Sequence, residues 1–165
     1  MAGTERGDQR PPRVFADEKT TLVEFLDYLR DSVAAKISGV PEEQARNPMV
    51  PSGTSLLGLA KHLRVVELGW FGWSFAGEDG LTAADGQVVP SDTVDSIVAA
   101  YREAAAHCNQ LIASASLEQR AARARRDGEE PATLRWILVH LIEETARHAG
   151  HADILREQID GSVGR

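Results

Sequence analysis

The sequence predicts an all-α protein, a four-helix bundle with a crossover connection between helices 2 and 3. Apolar residues recur in steps of three and four along four segments, as they do on the buried face of an α-helix. No segment shows the alternation of a β-strand, and no internal repeat is evident. The polar stretch from Gly77 to Pro90 is long enough to cross the bundle between the second and third helices.

The first helix is expected to begin near Asp17 and to stop at Gly39 and Pro41, which cannot continue a helix readily. Its apolar face should lie against the core throughout. The residues of that face are Leu22, Phe25, Leu26, Leu29, Val33 and Ile37.

Small polar residues are expected to cap the other three helices, because their side chains accept hydrogen bonds from the free N–H groups of the first turn. The predicted caps and ends are Ser52 or Thr54 and Phe75 for helix 2, Ser91 or Asp92 and Ala115 for helix 3, and Thr133 and Gly161 for helix 4.

Composition limits both the architecture and the partners. The chain has 165 residues, which predicts one bundle domain over 16–161, preceded by a disordered arm over 1–15 and followed by a short tail over 162–165. A net charge of −7 and a pI near 5.2 argue against a nucleic-acid partner. No apolar stretch is long enough for a membrane span or a secretion signal, so a cytoplasmic protein is expected.

The fourth helix carries three polar residues on the face that should be buried. Glu144, His148 and His151 continue the rhythm of Ile137, Leu141 and Leu155 without a break, and the six residues share one face at about 100° per residue. A lone buried carboxylate or imidazolium would cost roughly several kcal/mol of folding free energy unless it is paired or bound to metal. The alternative is an ordinary Glu144–His148 pair with an exposed His151.

A histidine on the second helix shifts the balance toward metal. His62 belongs to the stripe Leu59, His62, Val66, Trp70 and Trp73, so it should point into the bundle toward the polar residues of helix 4. Bundles build metal sites from ligands on facing helices, and three protein ligands leave a coordination position open for water or substrate. The sequence therefore predicts a catalytic type of site.

These residues also resemble a known family. The stretch His140–His151, with His62 upstream, is similar to the DinB-like metal-binding bundles and most of all to the actinobacterial mycothiol S-transferases, over about 17–161. Members of the wider group commonly use one histidine of the second helix and a His-x3-His pair of the last. Glu144 replaces the first histidine of that pair, as in the similar mycothiol-dependent maleylpyruvate isomerases. The resemblance implies His62, Glu144 and His148 as ligands.

The resemblance also implies a function. A zinc ion, or alternatively nickel, would bind a thiol and lower its pKa, and the thiolate of mycothiol or a similar thiol would attack an electrophilic small molecule in a detoxification reaction. His151 could be a fourth ligand, or it could transfer a proton or orient a substrate. The bundles that the chain resembles often pair, so a homodimer is expected.

Two other functions use the same ligands. A DinB-like stress protein would bind the metal without turnover, and a metal-dependent hydrolase would place water in the open position.

The same patterns predict the place of several further residues. Cys108 should be a core residue, Glu67 should lie either beside the site or on the surface, and His140 should support Glu144 from behind. Four arginines of the loop before helix 4 should be solvated, with anion binding as the alternative, and at least one aromatic residue should line a pocket above the metal. Those arginines are Arg120, Arg123, Arg125 and Arg126.

Overall fold

The computed structural model describes residues 10–13 and 15–164, with the side chain of Ala83 omitted. Four long helices form the bundle: α1 (Glu18–Ile37), α3 (Leu56–Glu67), α4 (Val94–Ala113) and α5 (Leu134–Asp160). A short helix, α2 (Glu42–Arg46), lies between the first two. The predicted all-α four-helix bundle is confirmed, and residues 77–93 form the crossover connection between α3 and α4, with a 3₁₀ turn at Ala83–Gly86.

Helix packing places α3 and α5 next to each other at the polar residues. α1 packs most extensively on α5 and α3 packs on α4, while smaller contacts join α1 to α4 and α3 to α5. In the described part of the chain the only β-bridge is an isolated pair, Arg120 with Thr133, so no sheet forms there. None of the described helices is long and apolar enough to span a bilayer.

The predicted ends of α1 and α5 agree with the structure. Asp17 caps α1, with its Oδ1 accepting a hydrogen bond from the N–H of Thr20 at 3.1 Å. Thr133 caps α5, which ends at Gly161 with a φ of 75°, a left-handed conformation that glycine adopts without strain. Much of the predicted N-terminal arm, residues 1–9 and 14, lies outside the described residues, as does Arg165 of the predicted tail.

The predicted caps of α3 and α4 were wrong by a residue or more. Ser55 caps α3 by accepting from the N–H of Gly58 at 3.1 Å, whereas the hydroxyls of Ser52 and Thr54 contact each other. Thr93 caps α4. The carboxylate of Asp92 instead accepts hydrogen bonds from the Val89 N–H at 2.7 Å and from Lys61 Nζ at 2.8 Å.

A π-helix continues α3 over Leu68–Ala76 and changes which aromatic residues are buried. The α-helical rhythm predicted that Trp70 and Trp73 would lie in the core, but both are only partly buried. Phe71 and Phe75 occupy the core instead, at 0% and 5% exposure. The reason is that a π-turn adds a residue per turn and rotates the residues that follow it.

The core stripe of α5 also differs from the predicted one. The large residues Ile137 and Leu141 are buried as expected, but beyond them the core is continued by small residues. Those residues are Thr145, Ala149 and Ala152, followed by Leu155. Glu144 and His148 therefore lie on the flank of the core stripe rather than within it. The small side chains of the stripe allow a neighbouring helix to approach closely.

Helix α1 has one exposed member on its predicted apolar face. Phe25 is 37% exposed, whereas Leu26, Val33 and Ile37 are fully buried. The expectation that the whole face lies against the core was therefore wrong at Phe25. Cys108 has no exposed surface, as predicted for a core residue, and burial raises the pKa of its thiol.

A buried ion pair joins α1 to α3 within the core. Glu67 is fully buried, and its carboxylate accepts two hydrogen bonds from Arg30 of α1, at 2.7 Å from Nε and 2.5 Å from Nη2. Arg30 also donates to Asp27 and to Asn109 of α4. Glu67 therefore lies neither beside the metal-ligand candidates nor on the surface, and it links three helices.

Candidate metal centre

The candidate site joins one residue of α3 to two residues of α5. The Oε1 atom of Glu144 lies 3.1 Å from Nε2 of His62 and 3.2 Å from Nε2 of His148. The rings of His62 and His148 meet edge to face, with their centroids 4.8 Å apart. One ligand atom from each residue lies within 4.8 Å of the others, which makes a candidate metal cluster of described residues.

Helix geometry explains why these side chains converge. Glu144 and His148 are one turn apart on α5, so their side chains project from the same face. His62 lies on the second turn of α3, which packs against α5 at this level and is fixed at its start by the Ser55 cap. The exposure of the His62 side chain, at 48%, places it at the rim of the site rather than in the bundle interior as predicted.

The electrostatics favour the protonation states that a metal needs. Burial raises the pKa of Glu144, but the hydrogen bonds and charges of His62 and His148 outweigh this effect and hold the pKa below its usual value. Burial lowers the pKa of His148, and Glu144 offsets only part of that change. At neutral pH a carboxylate therefore faces a neutral imidazole, and both are the forms that bind metal.

The donor set fits a divalent cation. Tetrahedral zinc binds imidazole nitrogen and carboxylate oxygen at about 2.0 to 2.2 Å, which requires neighbouring ligand atoms to be about 3.4 Å apart. The two Glu144–histidine distances, 3.1 and 3.2 Å, are close to that spacing. The half-exposed rim at His62 leaves a side on which a further ligand can approach.

His151 contacts His148 rather than Glu144. Its Nδ1 lies 3.3 Å from Nδ1 of His148, on the opposite side of that ring from Glu144. If His148 binds metal through Nε2, its Nδ1 carries the proton and donates it to Nδ1 of His151. Such contacts fix the ring orientation of a metal ligand, so we propose a positioning role for His151 rather than a fourth ligand or a proton carrier.

Replacing His151 with alanine is expected to weaken zinc affinity about tenfold to a hundredfold while leaving the stoichiometry unchanged, because removing a residue that orients a ligand has effects of that size. Competition with a chromogenic chelator measures the affinity. Replacing His140 with alanine on the same helix is the control. Equal losses in the two variants, or no loss in either, would contradict the positioning role.

His140 belongs to an aromatic group instead of supporting Glu144. Its ring stacks on Trp136 with centroids 5.1 Å apart and meets Trp70 edge to face at 4.9 Å. Trp70 and Trp136 contact each other at 5.2 Å. We refer to Trp70, Trp136 and His140 as the aromatic wall.

The aromatic wall faces a cavity of about 610 Å³ that Glu144 also lines. The prediction that an aromatic residue would line a pocket at the site thus receives support from Trp70 and Trp136. A second cavity, of about 320 Å³, is lined by His151, Ile154 and Leu155 with residues of the loop before α3. Glu144 and His151 therefore each line a cavity that is large enough for a small molecule.

Three of the loop arginines, Arg120, Arg125 and Arg126, are exposed, as expected of a solvated loop, whereas Arg123 is partly buried, and two of the four contact tryptophan rings. Arg123 lies over the ring of Trp73 at 5.3 Å and donates to the carbonyl of Gly77 at 2.8 Å. Arg125 lies over Trp70 at 4.8 Å and lines the larger cavity. The charge run was visible in the sequence, but its contact with the α3 aromatics was not, because the two segments are far apart along the chain.

Comparison with known proteins identifies the family. The family model described as Mycothiol-S-transferase matches residues 21–161. The chain belongs to the mycothiol-S-transferase family. The match spans all four long helices and both halves of the candidate site, so the family resemblance seen in the sequence is confirmed.

Solved structures show the same fold as this mycothiol-S-transferase family member. A DinB-like protein from Bacillus cereus aligns with a TM-score of 0.64 and 19% identity, covering 84% of this chain and 91% of that one. A conserved protein from Enterococcus faecalis aligns with a TM-score of 0.65 and 14% identity, covering 88% of this chain and 99% of that one. No curated protein matches the chain.

Proposed function

We propose that the protein is a metal-dependent thiol S-transferase that conjugates mycothiol, or a similar low-molecular-weight thiol, to electrophilic small molecules. The observation that carries the proposal is the convergence of His62, Glu144 and His148 beside a cavity, in a chain of the mycothiol-S-transferase family. Within it we also propose zinc as the metal, with nickel as the alternative, and a cytoplasmic, homodimeric detoxification enzyme.

His62, Glu144 and His148 would hold the metal. When bound, the ion would supply Lewis-acid chemistry that favours the thiolate form of the thiol at neutral pH. The half-exposed side of the site at His62 would leave room for the thiol to approach.

The residues of this chain have separate tasks in the reaction. His148 and Glu144 provide neutral nitrogen and anionic oxygen, and His151 keeps the ring of His148 in place through the Nδ1 contact at 3.3 Å. The aromatic wall excludes water from one side of the site and presents a flat surface to the electrophile. The thiol proton passes to water at the open rim beside His62, and the thiolate sulfur forms a bond to the electrophilic carbon.

Thiol consumption tests this function. We expect the zinc-loaded protein to consume mycothiol in step with a chlorodinitrobenzene, releasing one chloride per thioether formed. His148→Ala and treatment with a chelator should each reduce the rate more than about a hundredfold, since the nucleophile then reverts to a weakly ionised thiol. His107→Ala is the matched control, because that half-exposed histidine contacts Glu78 instead of the site.

Each other outcome contradicts the transferase in a distinct way. Activity that survives His148→Ala or chelation would remove the metal from the mechanism. Turnover of ester or amide substrates without thiol would indicate the hydrolase, and stoichiometric metal with no turnover of a broad electrophile panel would indicate the non-catalytic binding protein.

A further inference from the structure

The cavity beside Glu144 combines a flat apolar surface with a cation. The aromatic wall forms one side, and Trp136 keeps 51% of its surface exposed although it is a large aromatic residue. Trp136 makes ring contacts with Trp70 and His140. An exposed aromatic cluster at the mouth of a cavity is a common surface for binding a flat ligand.

Arg125 is the cation of this cavity, and it has no acidic partner among the residues that the structure describes. Its Nη1 donates to the carbonyl oxygen of Gly69 at 3.1 Å, and its guanidinium lies over the rings of Trp70 and Trp73. No ion pair reaches it within the described part of the chain, although Asp127, Glu129 and Glu130 follow it in the same loop. Partial removal from water lowers the pKa of Arg125, with no carboxylate to offset the effect.

The other charged groups lining the cavity already have partners. Arg126 pairs with Glu129 at 3.4 Å. Glu144 contacts the two histidines, and Arg147 lies 3.6 Å from its second oxygen. Among the charged residues that line the cavity, Arg125 is therefore the one without an ion-pair partner in the described part of the chain. Its planar guanidinium can bind a carboxylate through two hydrogen bonds.

Gly69 leaves room for the guanidinium of Arg125 against the π-helix. A Cβ atom on Gly69 would come within 3.0 Å of Nη1 of Arg125, so the glycine permits the guanidinium to lie against the π-helix. One side of the guanidinium is thereby fixed by the protein. A fixed guanidinium loses little entropy when it binds a ligand, which favours recognition over simple solvation.

We propose that Arg125 and the aromatic wall form the subsite for the electrophile, and that the preferred electrophile is a flat aryl or conjugated molecule that carries a carboxylate. This inference rests on the proposed function, whose substrate class it specifies. The ring of the electrophile lies on Trp70 and Trp136, its carboxylate binds Arg125, and its reactive carbon points toward Glu144 and the thiol.

The reaction balances without a further reagent. With a chloronitrobenzoate, the thiolate sulfur forms a C–S bond at the carbon that bears chlorine. The C–Cl bond breaks, and chloride leaves with the bonding electron pair. The thiol proton goes to water, and nothing is oxidised or reduced.

A pair of probes that differ in charge tests the subsite. The probes are 4-chloro-3-nitrobenzoate and its neutral carboxamide, assayed with mycothiol and zinc-loaded protein. In Arg125→Gln we expect kcat/KM for the benzoate to fall about ten- to a hundredfold, the range for loss of a charge-assisted fork, and the carboxamide value to change less than about threefold. In Arg125→Lys, kcat/KM for the benzoate should lie between the wild-type and Arg125→Gln values, because lysine keeps the charge but loses the two-point hydrogen bonding of the guanidinium.

Arg135→Gln is the control, since Arg135 pairs with Glu18 and Glu118 and lies outside the cavities that Arg125 lines. It should leave the ratio of the two kcat/KM values unchanged. Circular dichroism melting confirms that each variant is folded.

A binding measurement separates this inference from the proposed function. Quenching of tryptophan fluorescence by the nitroaryl probes, without thiol, reports occupancy of the wall directly. Weaker binding of the benzoate but not of the carboxamide in Arg125→Gln supports the subsite even if no thioether forms. In that case only the proposed transferase function is contradicted. Turnover of both probes with equal losses in Arg125→Gln, or with none, overturns the subsite and leaves the transferase standing.

Discussion

Zinc is expected to be lost when Glu144 or His148 is replaced by alanine, and activity with it. Both side chains are about five-sixths buried, at 15% and 16% exposure, and each supplies one of three converging donor atoms. Removing a ligand should weaken affinity by more than about a hundredfold, since residues that merely support ligands account for changes up to that size. Elemental analysis of protein purified without an affinity tag measures the metal content.

The chain offers a close control for this experiment. Glu143 is adjacent to Glu144 on α5, but it is half exposed and pairs with Arg147 rather than with a histidine. Glu143→Ala should therefore retain stoichiometric metal. His62→Ala should lose it as well, because His62 is the sole donor from α3. Retention of stoichiometric zinc in Glu144→Ala would return the three residues to ordinary polar pairing.

Breaking the buried ion pair between Arg30 and Glu67 should produce a large loss of stability. Arg30→Met leaves the fully buried carboxylate of Glu67 without its cation, and also removes hydrogen bonds to Asp27 and Asn109. Removing one partner of a buried pair costs about 3 to 5 kcal/mol of unfolding free energy. The melting temperature should fall by about 6 to 20 °C for a chain of this size.

The double variant separates charge from packing. Arg30→Met combined with Glu67→Leu removes both charges, so it should be more stable than either single variant. Glu143→Ala again serves as the control, because an exposed pair contributes at most about 1 kcal/mol. Additive losses in the double variant, measured by urea unfolding, would show that the pair is not coupled in this core.

The candidate metal ligands and the electrophile subsite differ in how far the sequence predicts them. His62, Glu144 and His148 could be named from the sequence because spacing on a helix is local, but the apolar rhythm placed them in the core, whereas they lie on its flank and at the rim. The aromatic wall and Arg125 could not be assembled in that way. Their members come from the π-helix after α3, the loop before α5 and α5 itself, and only packing brings them together.

The sequence by itself determined the four long helices, the limits of α1 and α5, and the pairing of Glu144 with His148, since each depends on residues within a few turns of one another. His62 joined them through its stripe on the second helix and the family resemblance. The tertiary structure decided the burial of Glu67 against Arg30, the π-helical shift that moved Phe71 into the core, and the contact of His151 with His148. These features depend on which surfaces of neighbouring helices meet, and a helical period cannot specify the partner of a buried charge or the point at which a helix widens.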